Sequence, residues 1–578
     1  MVACAGLGAC TPTFPDAEPL RISIRSDAER SLADASTMPD RRTLARENRI
    51  DDLEFSEDRL RELNMMGGPT AYEGEALGSI GPDLLGRDGD DAVPPLSVSL
   101  QHVVTRALEH NLALQSARLS PAIAQADVVA ADAAFDWVFF ADFSWNGVDE
   151  PSRVPVFNGV PVGVGASQSQ AVQYATGLRK PLTTGGQFTI SQGQTYFDDS
   201  TPGAAFAPDP SNLANLTVGY SQPLLRNFGS DVALSQVRIS RNAERSAIQR
   251  TRQAVIDTIT ETERAYWDLV NAEMSYRILR RSLERGTETR DVLKARLRVD
   301  ARPSEYSDAQ ATVERRRSDL IRASNTLRRA SDRLKLLMND PDLPIGSEVV
   351  LVPSDMPVEE PLTFSLFDAL DTALRMRPDL AQALLAIDDA SIRQLVAKNQ
   401  TLPRLDFSIQ AVAQGLDRDI SEAYDRIGEG DFINWVVGLN FEQALGNRFA
   451  EAGMRRAQLQ RMQSVIDYQS VRESAVDQVV ASLRSVQEQY QLIEQTRVER
   501  VAAAENLRTL LALERTIADL DANFLNLKLT RQDNLARAEL SEIRALADYN
   551  LAVAEFYRAT GEAAARNRVD VIVPDAGE

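Results

Sequence analysis

Two very long stretches of this chain have the pattern of a helix and contain no proline, and they constrain the fold more than any other feature of the sequence. They run from about 231 to 298 and from about 448 to 518. Apolar or small residues recur in both at alternating spacings of four and three: Val255, Ile259, Thr262, Tyr266 and Leu269, and then Val479, Leu483, Val486, Tyr490 and Ile493. A mean spacing of 3.5 residues is typical of coiled-coil packing. At 1.5 Å per residue, about 65 residues make a helix of roughly 100 Å, which is too long for a compact globular domain.

Each long stretch is followed by a shorter helical segment that returns along it. We predict these return helices over 303–338 and 523–560. The two reversals have similar sequences, Val-Asp-Ala at 299–301 and Leu-Asp-Ala at 520–522. The chain therefore contains two helical hairpins of the same design.

The similarity of the two hairpins is part of a duplication of most of the chain. LSVSL at 96–100 has its counterpart in LTFSL at 362–366, and each opens a short helix that leads through an Ala-rich helix into strand-like segments. We therefore divide the chain into a segment like the end of a lipoprotein signal (1–10), an N-terminal extension rich in proline, glycine and acidic residues and partly disordered (11–95), a first repeat (96–340), a linker (341–361), a second repeat (362–562) and a C-terminal tail (563–578).

The strand-like segments alternate apolar and polar residues, which is typical of a sheet with one apolar and one polar face. The alternation is strict at 405–411 and looser around 137–147. Segments 172–180 and 187–197 are joined by Thr-Gly-Gly at 184–186, which predicts a hairpin.

Each half closes its strand region with a similar strand, NLTVG at 215–219 and NWVVG at 434–438. Between the strands we predict long loops rich in glycine, proline and aspartate at 148–170, 198–212 and 415–431.

Three of the four tryptophans, Trp137, Trp145 and Trp435, lie on these strand segments. Tryptophan is enriched at the two edges of a lipid bilayer, and a strand of about ten alternating residues is long enough to cross one. We interpret the three residues as membrane-girdle aromatics. The alternative is that they fill the core of a soluble β-sandwich, but the sequence shows no separate sandwich core.

One chain has too few strands to close a barrel with a water-filled lumen. Even about eight strands leave an interior filled by side chains. An open barrel therefore requires several copies of the chain, and cyclic symmetry suits a pore. Twelve strands from a trimer need four per copy, two from each half. The hairpin at 172–197 is extra to that number, and one interpretation is that it extends into the exterior loop region instead of adding to the wall.

Composition argues against several classes of function. With 63 basic and 84 acidic residues the formal net charge is −21, which disfavours nucleic acid as a partner because phosphate binding needs a basic surface. The only histidines are His102 and His110, and the only cysteines are Cys4 and Cys10. We expect the histidines to be a solvated helix residue and a helix-end residue. We expect no metal site, no cofactor and no catalytic centre.

The first ten residues end in Leu-Gly-Ala-Cys, which has the form of a lipobox with Cys10 as the acylated residue. The stretch before it is short and has no basic region. Either the natural start lies further upstream, or the match arises by chance from small residues. For 11–95 the alternatives are an extended or disordered leader and a segment that lies along the outside of the folded body.

Four further features, in this order along the chain, carry a resemblance to a known family. They are the duplicated openings at 100–114 and 366–380, SQPLL at 221–225, LKLLMN at 334–339, and the run from DYNLAVAEF at 548–556 to Gly561. Together they make the chain resemble the TolC-type outer-membrane efflux family over about 96–562. The resemblance implies a mixed α+β membrane protein, in which the duplicated helix–strands–long-helix-hairpin repeat forms an α-helical barrel continuous with a trimeric 12-stranded transmembrane β-barrel.

The resemblance also implies a function. Members of the family are homotrimers that cross the outer membrane and continue through the periplasm as a helical tunnel. They are the passive exit duct of a tripartite efflux pump or a type I secretion system, and they meet an inner-membrane transporter through a periplasmic adaptor protein. Lipoprotein members carry an acylated N-terminal cysteine, which corresponds to Cys10. The implied location is the bacterial outer membrane, in contact with its lipid, with the helical part in the periplasm.

The resemblance places adaptor docking at two helix tips, which are formed by Val299, Asp300, Ala301, Leu520, Asp521 and Ala522. In the family these reversals usually contain Val-Gly-Leu or Val-Gly-Thr, and here Asp300 and Asp521 occupy the glycine positions. Aspartate tolerates the unusual backbone angles of such a turn better than most residues. The docking surface becomes acidic, and we expect a partner with basic tips.

The ring of aspartates that narrows the closed end of the family's archetype is not carried over. The matching positions are Leu527 and Thr530. Three acids lie nearby, Asp519, Asp521 and Asp533, and they are either substitutes for the ring or ordinary solvated helix positions.

Two other functions compete with that of an exit duct. A periplasmic coiled-coil adaptor or scaffold without a pore explains the long helices but not the strands at equivalent places in each half. An enzyme is disfavoured, because acid pairs such as Asp388-Asp389 have no base, nucleophile or metal ligand beside them. The chain has no GxxxxGK[ST] phosphate-binding motif, so energy for transport must come from a partner. The net charge favours passage of cations if much of the acid lines the lumen.

Overall fold

The computed structural model describes residues 42–44, 50, 53, 55–72, 77, 80–87, 93–151, 153–154, 156–161, 165–200, 207–298, 302–514 and 522–569. The chain divides into two compact units. The first, which we call the helical unit, comprises Met1–Ser120, Ile248–Gln382 and Tyr468–Glu578. The second, the sheet unit, comprises Pro121–Ala247 and Ala383–Asp467. Each unit draws on both halves of the duplicated chain.

Helices make up most of the described chain. The longer ones are α1 (Glu57–Gly67), α2 (Leu100–His110), α3 (Leu112–Asp132), α4 (Ser235–Arg296), α5 (Pro303–Met338), α6 (Leu366–Met376), α7 (Pro378–Asn399), α8 (Ile420–Glu429), α9 (Arg448–Glu514) and α10 (Ala522–Thr560). Short helical turns lie at Pro69–Tyr72, Ala133–Phe135, Ser230–Ala233 and Ala563–Arg566. None of the described helices combines the length and the hydrophobicity that crossing a membrane requires.

The sheet unit contains one antiparallel sheet of six strands. They are β1 (Val138–Pro151), β2 (Ala166–Pro181), β3 (Gln187–Asp199), β4 (Ser211–Pro223), β5 (Arg404–Asp417) and β6 (Ile433–Glu442). Their order across the sheet is β6-β5-β4-β3-β2-β1, and every neighbouring pair is antiparallel. Short strand pairs also join Arg42–Thr43 to Thr363–Phe364, Leu96–Val98 to Leu351–Pro353, and Val156–Phe157 to Val160–Pro161.

The two long helices and their return helices are confirmed. α4 spans 62 residues and α9 spans 67 residues, and both begin close to the predicted positions. Asn227 and Gly229 precede α4 with positive φ, and Asn447 stands directly before α9 with φ 32°. Left-handed backbone does not continue a right-handed helix, so these residues fix where each long helix starts.

All ten residues of the two predicted rows are buried in the helical unit. The row on α9 packs with buried residues of α10 and α6, and the later part of the row on α4 packs with buried residues of α5. Burying an aliphatic side chain of this size contributes about 1.5–3 kcal/mol, so the rows are a main source of helix–helix stability.

The two openings of the duplicated chain are equivalent in structure as well as in sequence. Ser99 caps α2 by accepting a hydrogen bond from the backbone N–H of His102, and Ser365 caps α6 in the same way through Asp368. Both helices are 11 residues long. The same local sequence signal therefore sets the same structure twice.

Residues 55–72, which we call the N-terminal arm, pack within the helical unit. Leu63 and Tyr72 of the arm are buried. Arginines spaced one turn apart on α4 donate hydrogen bonds of 2.6–3.3 Å to backbone carbonyls of the arm: Arg277 to Tyr72, Arg281 to Ala71 and Arg285 to Met66. The N-terminal arm therefore lies against helices of this unit.

The hairpin predicted at 172–180 and 187–197 is present, and its place corrects the expected number of strands. β2 and β3 lie in the middle of the sheet, between β1 and β4. The interpretation of this hairpin as an excursion into exterior loops is therefore wrong. The described chain contributes six strands to one sheet instead of four, so a count of twelve strands from three copies no longer follows.

Two of the predicted loops contain regular structure. The stretch 148–170 includes the end of β1 and the start of β2. The stretch 415–431 contains α8, which begins after Asp419 and ends at Gly430, where φ is 73°. Glycine adopts this left-handed conformation readily, so it stops the helix there.

Candidate channel wall

One face of the sheet is mainly apolar. Successive side chains of a strand point to opposite faces, so alternate residues share a face. On β6 the alternate residues are apolar and each is aligned with an apolar residue of β5: Ile433 with Ala413, Trp435 with Ala411, Val437 with Ile409, Leu439 with Phe407, and Phe441 with Leu405. We call this side the apolar face.

The apolar face continues over the other four strands. The register places on it Leu216, Val218 and Tyr220 of β4, Phe188 and Ile190 of β3, Leu178 of β2, and Phe139, Phe143 and Trp145 of β1. Most of these side chains are exposed. A contiguous apolar surface of this kind marks a site of contact with lipid or with another protein.

The opposite face, which we call the polar face, carries polar and small residues. They include Asp142, Ser144, Gln173, Thr189, Ser191, Asn215, Thr217, Asp406, Ser408, Gln410, Asn434 and Asn440. A Cβ at Gly177 would lie 2.7 Å from the Cβ of Ser191 and 2.8 Å from Cζ of Phe140, so only glycine fits at this crowded point. The polar face is the side of the sheet that suits contact with water.

Polar residues of β2, β3 and β4 interrupt the apolar face, and α8 binds some of them. The Tyr424 side chain of α8 hydrogen-bonds the hydroxyl of Tyr174 at 2.9 Å and also the amide of Gln192. Beside them, Gln194 Nε2 donates to Asn212 Oδ1 at 2.8 Å, and both residues are buried. Most of the exposed part of this face is apolar, and Gln170 of β2 is an exposed polar residue on it.

The structure places the three predicted tryptophans at exposed positions on the apolar face. Trp145 and Trp435 are 69% and 68% exposed. Trp137 stands just before β1, where its ring meets that of Phe188 edge to face with centroids 6.1 Å apart, and Lys180 lies over it at 5.3 Å.

Each edge strand includes a pair of large aromatic residues on the apolar face that are six residues apart. They are Phe139 and Trp145 on β1, and Trp435 and Phe441 on β6. At about 3.3 Å per residue, this separation is roughly 20 Å along the strand. The register places Phe139 and Trp435 at the same level of the sheet, so Trp145 and Phe441 lie toward its opposite ends.

Both edges of the sheet are open. Among the residues that the structure describes, neither β1 nor β6 pairs with a strand on its outer side. β1 has 14 residues and β6 has 10, and most of these residues are exposed. Long open edges present unpaired N–H and C=O groups and are templates for pairing with another chain.

The part of α9 that belongs to the sheet unit exposes a second apolar surface. Phe449, Leu459, Met462 and Ile466 are all exposed there. Leu459 and Met462 line a surface groove of about 710 Å³ together with Thr401, Asn447, Glu451, Met454, Arg455 and Gln458. This unpartnered helix face is a further sign of contact with another molecule.

Several predicted site residues lie outside the described residues. They are Cys10, Val299, Asp300, Ala301, Leu520 and Asp521. Ala522 is the first residue of α10. The structure therefore leaves lipidation and adaptor docking as predictions.

Of the acids near the expected gate, Asp533 is described, and it is not an ordinary solvated position. Its carboxylate is held by Arg315 at 2.9 Å and by Arg316 at 2.7 Å. Leu527 and Thr530, which match the archetype's gate positions, are exposed. Asp533 thus links α10 to α5.

The two histidines take the expected places. His102 is exposed near the start of α2, and His110 is the last residue of that helix. Within the described part of the chain, no group of three or more His, Cys, Asp or Glu side chains is arranged to hold a metal ion.

Sequence reasoning missed a buried carboxyl in the helical unit. Glu539 of α10 is buried and accepts a hydrogen bond from the Tyr72 hydroxyl at 3.2 Å. Burial raises its pKa to about 7, and Arg285 and Tyr72 oppose that rise. The sequence gives no local signal for this contact, because the partner of Glu539 belongs to the N-terminal arm.

The comparisons with known proteins identify the fold. No protein-family model matches the chain, and no curated protein sequence matches it either. Solved structures do match. The CmeC outer membrane channel of Campylobacter jejuni is 16% identical over 84% of this chain and 91% of that chain, with a TM-score of 0.56.

Two further structures give the same result. The outer membrane protein VceC of Vibrio cholerae is 15% identical over 80% of this chain and 96% of that chain, with a TM-score of 0.56. The MtrE outer membrane channel of Neisseria gonorrhoeae is 17% identical over 80% and 89%, with a TM-score of 0.54.

The chain therefore has the mixed α+β fold of outer-membrane channels. This confirms, at the level of fold, the resemblance to TolC-type proteins that the motifs indicate.

Proposed function

We propose that this chain is an outer-membrane efflux duct, a passive conduit through which an inner-membrane partner exports its cargo. The observation that carries the proposal is the sheet with one exposed apolar face, one polar face and two open edges. Such a sheet is stable where lipid covers the apolar face, water wets the polar face, and other copies pair with the edges. The shared fold with the CmeC and MtrE channels supports this interpretation.

The assembly that fits these surfaces is a homotrimer. Its sheets would form a transmembrane β-barrel, and the two repeats at 96–340 and 362–562 would supply an α-helical barrel continuous with it. The exposed apolar residues of α9 would be buried between copies. Trp137, Trp145 and Trp435 would then be the girdle aromatics in contact with outer-membrane lipid.

The helical part would reach through the periplasm toward an adaptor protein and an inner-membrane transporter. We place adaptor docking at Val299, Asp300, Ala301, Leu520, Asp521 and Ala522. The residues beside the first reversal are mainly basic, with Lys294, Arg298 and Arg302 close to it, whereas Asp519 lies close to the second, where Glu514 is paired with Lys528 at 2.9 Å. Basic adaptor tips would therefore bind the second reversal more strongly than the first.

Whether the duct serves a tripartite pump or a type I secretion system depends on these partners. Lipid anchoring through Cys10 would add a second attachment to the outer membrane.

Two adjacent valines on β6 provide a matched test. Val436 and Val437 are 56% and 64% exposed, and they point to opposite faces of the sheet. An arginine on a lipid-facing strand position costs about 2–4 kcal/mol near the middle of the bilayer. Val437→Arg should therefore abolish detergent-extractable outer-membrane protein and channel conductance in planar bilayers, while Val436→Arg should preserve assembly and alter ion selectivity.

The opposite pattern, or equal tolerance of both substitutions, would show that the apolar face does not meet lipid. A wild-type protein that is monomeric and fully soluble without detergent would remove the proposal altogether. It would favour the poreless adaptor instead.

A further inference from the structure

The hairpin of β2 and β3, which is additional to the four expected strands, is hydrogen-bonded to its neighbouring strands along nearly its whole length. β2 has 16 residues and β3 has 13, against 14 in β1 and 13 in β4. The pairing of β1 with β2 runs from Val138 opposite Arg179 to Pro151 opposite Ala166. The pairing of β3 with β4 runs from Gln187 opposite Ser221 to Phe197 opposite Ser211. These two strands are as long as the strands that flank them.

The hairpin also continues the two-faced pattern of the sheet. Leu178 and Ile190 extend the apolar face, whereas Thr189 and Ser191 extend the polar face. A hairpin that projected beyond the wall into water would not need an apolar side aligned with that of its neighbours. Near its turn the hairpin therefore fits a wall between lipid and water, whereas further along Thr176, Gln192 and Gln194 stand on the apolar side, where Tyr424 of α8 hydrogen-bonds Gln192.

The turn of the hairpin is anchored at the end of the sheet where β4 finishes. The Thr184 carbonyl accepts hydrogen bonds from Gly229 N–H and from Gln222 Nε2, both at 3.1 Å. Gly185, with φ 88°, lies so close to the carbonyl oxygen of Asn227 that a Cβ there would overlap it. The hairpin therefore reaches the far end of the sheet and is fixed there.

The direction of the strands decides how copies can join. Six antiparallel strands leave β1 and β6, the two open edges, running in opposite directions. When β6 of one copy meets β1 of the next, the new pair is therefore antiparallel like every other pair in the sheet. A ring of copies joined in this way has no remaining edge.

We infer that a second copy of this chain occupies each open edge, and that three copies close a wall of eighteen strands. This inference rests on the proposed function and adds the size of the pore to it. The diameter of a barrel grows roughly in proportion to its strand number, so the wall is about 1.5 times as wide as a twelve-stranded wall. Barrels of about 16–18 strands leave an aqueous channel without contributions from other segments.

The test compares the full chain with a variant that lacks only the insertion. Replacing residues 152–210 by a short Asn-Gly turn joins β1 directly to β4 and leaves four alternating strands, because β1 and β4 also run in opposite directions. Cryo-electron microscopy of both detergent-purified proteins gives the strand number and the width of the sheet region. We expect eighteen strands and three-fold symmetry in the full chain, and twelve strands in a wall about 1.5 times narrower in the variant.

Microscopy of the full chain alone tests the number of strands, even if the variant does not fold. A three-fold assembly with twelve strands and the hairpin outside the wall overturns the inference while leaving the duct intact. A two-fold ring of twelve strands overturns it as well. A monomer with no membrane segment overturns the proposed function itself. That result differs from the two twelve-stranded results, which overturn only the number of eighteen strands.

Discussion

The hydroxyls of Tyr174 and Tyr424 lie 2.9 Å apart, and this contact joins the short helix α8 to strand β2. The same helix crosses β5 at Gly415, where a side chain would overlap the carbonyl oxygen of Ala423. Gly415 thus allows α8 to lie directly on the sheet, where Tyr424 binds polar groups of the apolar face.

Gly415→Ala should therefore lift α8 and destabilise the sheet unit by about 1–3 kcal/mol, because backbone cannot move aside as easily as a side chain. The measurement is the temperature at which the purified assembly dissociates on gels in detergent. Gly219→Ala on β4 is the matched control, since a Cβ at that position meets nothing within 4 Å. Equal dissociation temperatures for the two variants would contradict the role of Gly415.

Glu539 should make the stability of the helical unit depend on pH. Its pKa is about 7 in the folded chain, whereas the ordinary value is 4.5. The folded state therefore holds a proton that the unfolded state releases over this range. The stabilising effect of the neutral carboxyl is complete below about pH 4.5 and is lost as the pH rises through 7.

Glu539→Gln should remove this loss, because the amide stays neutral at every pH. We expect the melting temperature of the wild type to fall between pH 5 and pH 7.5, and that of the variant to fall less. Glu499→Gln, at an exposed position of α9, controls for the change in net charge. Identical pH profiles for wild type and Glu539→Gln would show that the carboxyl is charged throughout.

Arg316 should be one of the most sensitive residues of the helical unit. Its buried guanidinium donates to the Ser282 carbonyl of α4 at 2.7 Å and to the Leu529 carbonyl of α10 at 3.1 Å, and it pairs with Asp533. One side chain of α5 therefore binds two other helices.

Arg316→Ala leaves these acceptors and the Asp533 charge without their partner, so we expect a loss of about 3–5 kcal/mol. Arg322→Ala on the same helix should change stability by less than about 0.5 kcal/mol, because its ion pair with Asp319 is exposed. Chemical unfolding followed by circular dichroism measures both. If both substitutions lowered the free energy of unfolding by similarly small amounts, the contacts of Arg316 would contribute little to stability.

Much of the helical unit was predictable because its signals are local. The spacing of apolar residues in α4 and α9, the lack of proline and the Ser caps of α2 and α6 all act within a few residues. The same kind of signal marks α8, where Ile420, Tyr424 and Ile427 share one helix face between Asp419 and Gly430. Reading 415–431 as a loop gave its turn-forming residues more weight than this pattern.

The number of strands in the wall was not predictable, because strand order is not local. The segments of β2 and β3 were recognised, but alternation does not say which strands are neighbours. The N-terminal arm shows the same limit. Its carbonyls are bound by Arg277, Arg281 and Arg285, which lie some two hundred positions later in the chain.

The helix tips give the last prediction, which concerns the adaptor and rests on the family resemblance. The Asp300→Gly, Asp521→Gly double variant should assemble like the wild type, because glycine fits a tight reversal at least as well as aspartate. Its binding to the native adaptor should weaken and should lose part of its salt dependence, since charge at the second tip is removed. Surface-plasmon resonance at two salt concentrations measures this, with single variants to separate the tips. Export at the wild-type level, together with unchanged salt dependence, would rule out docking at these residues.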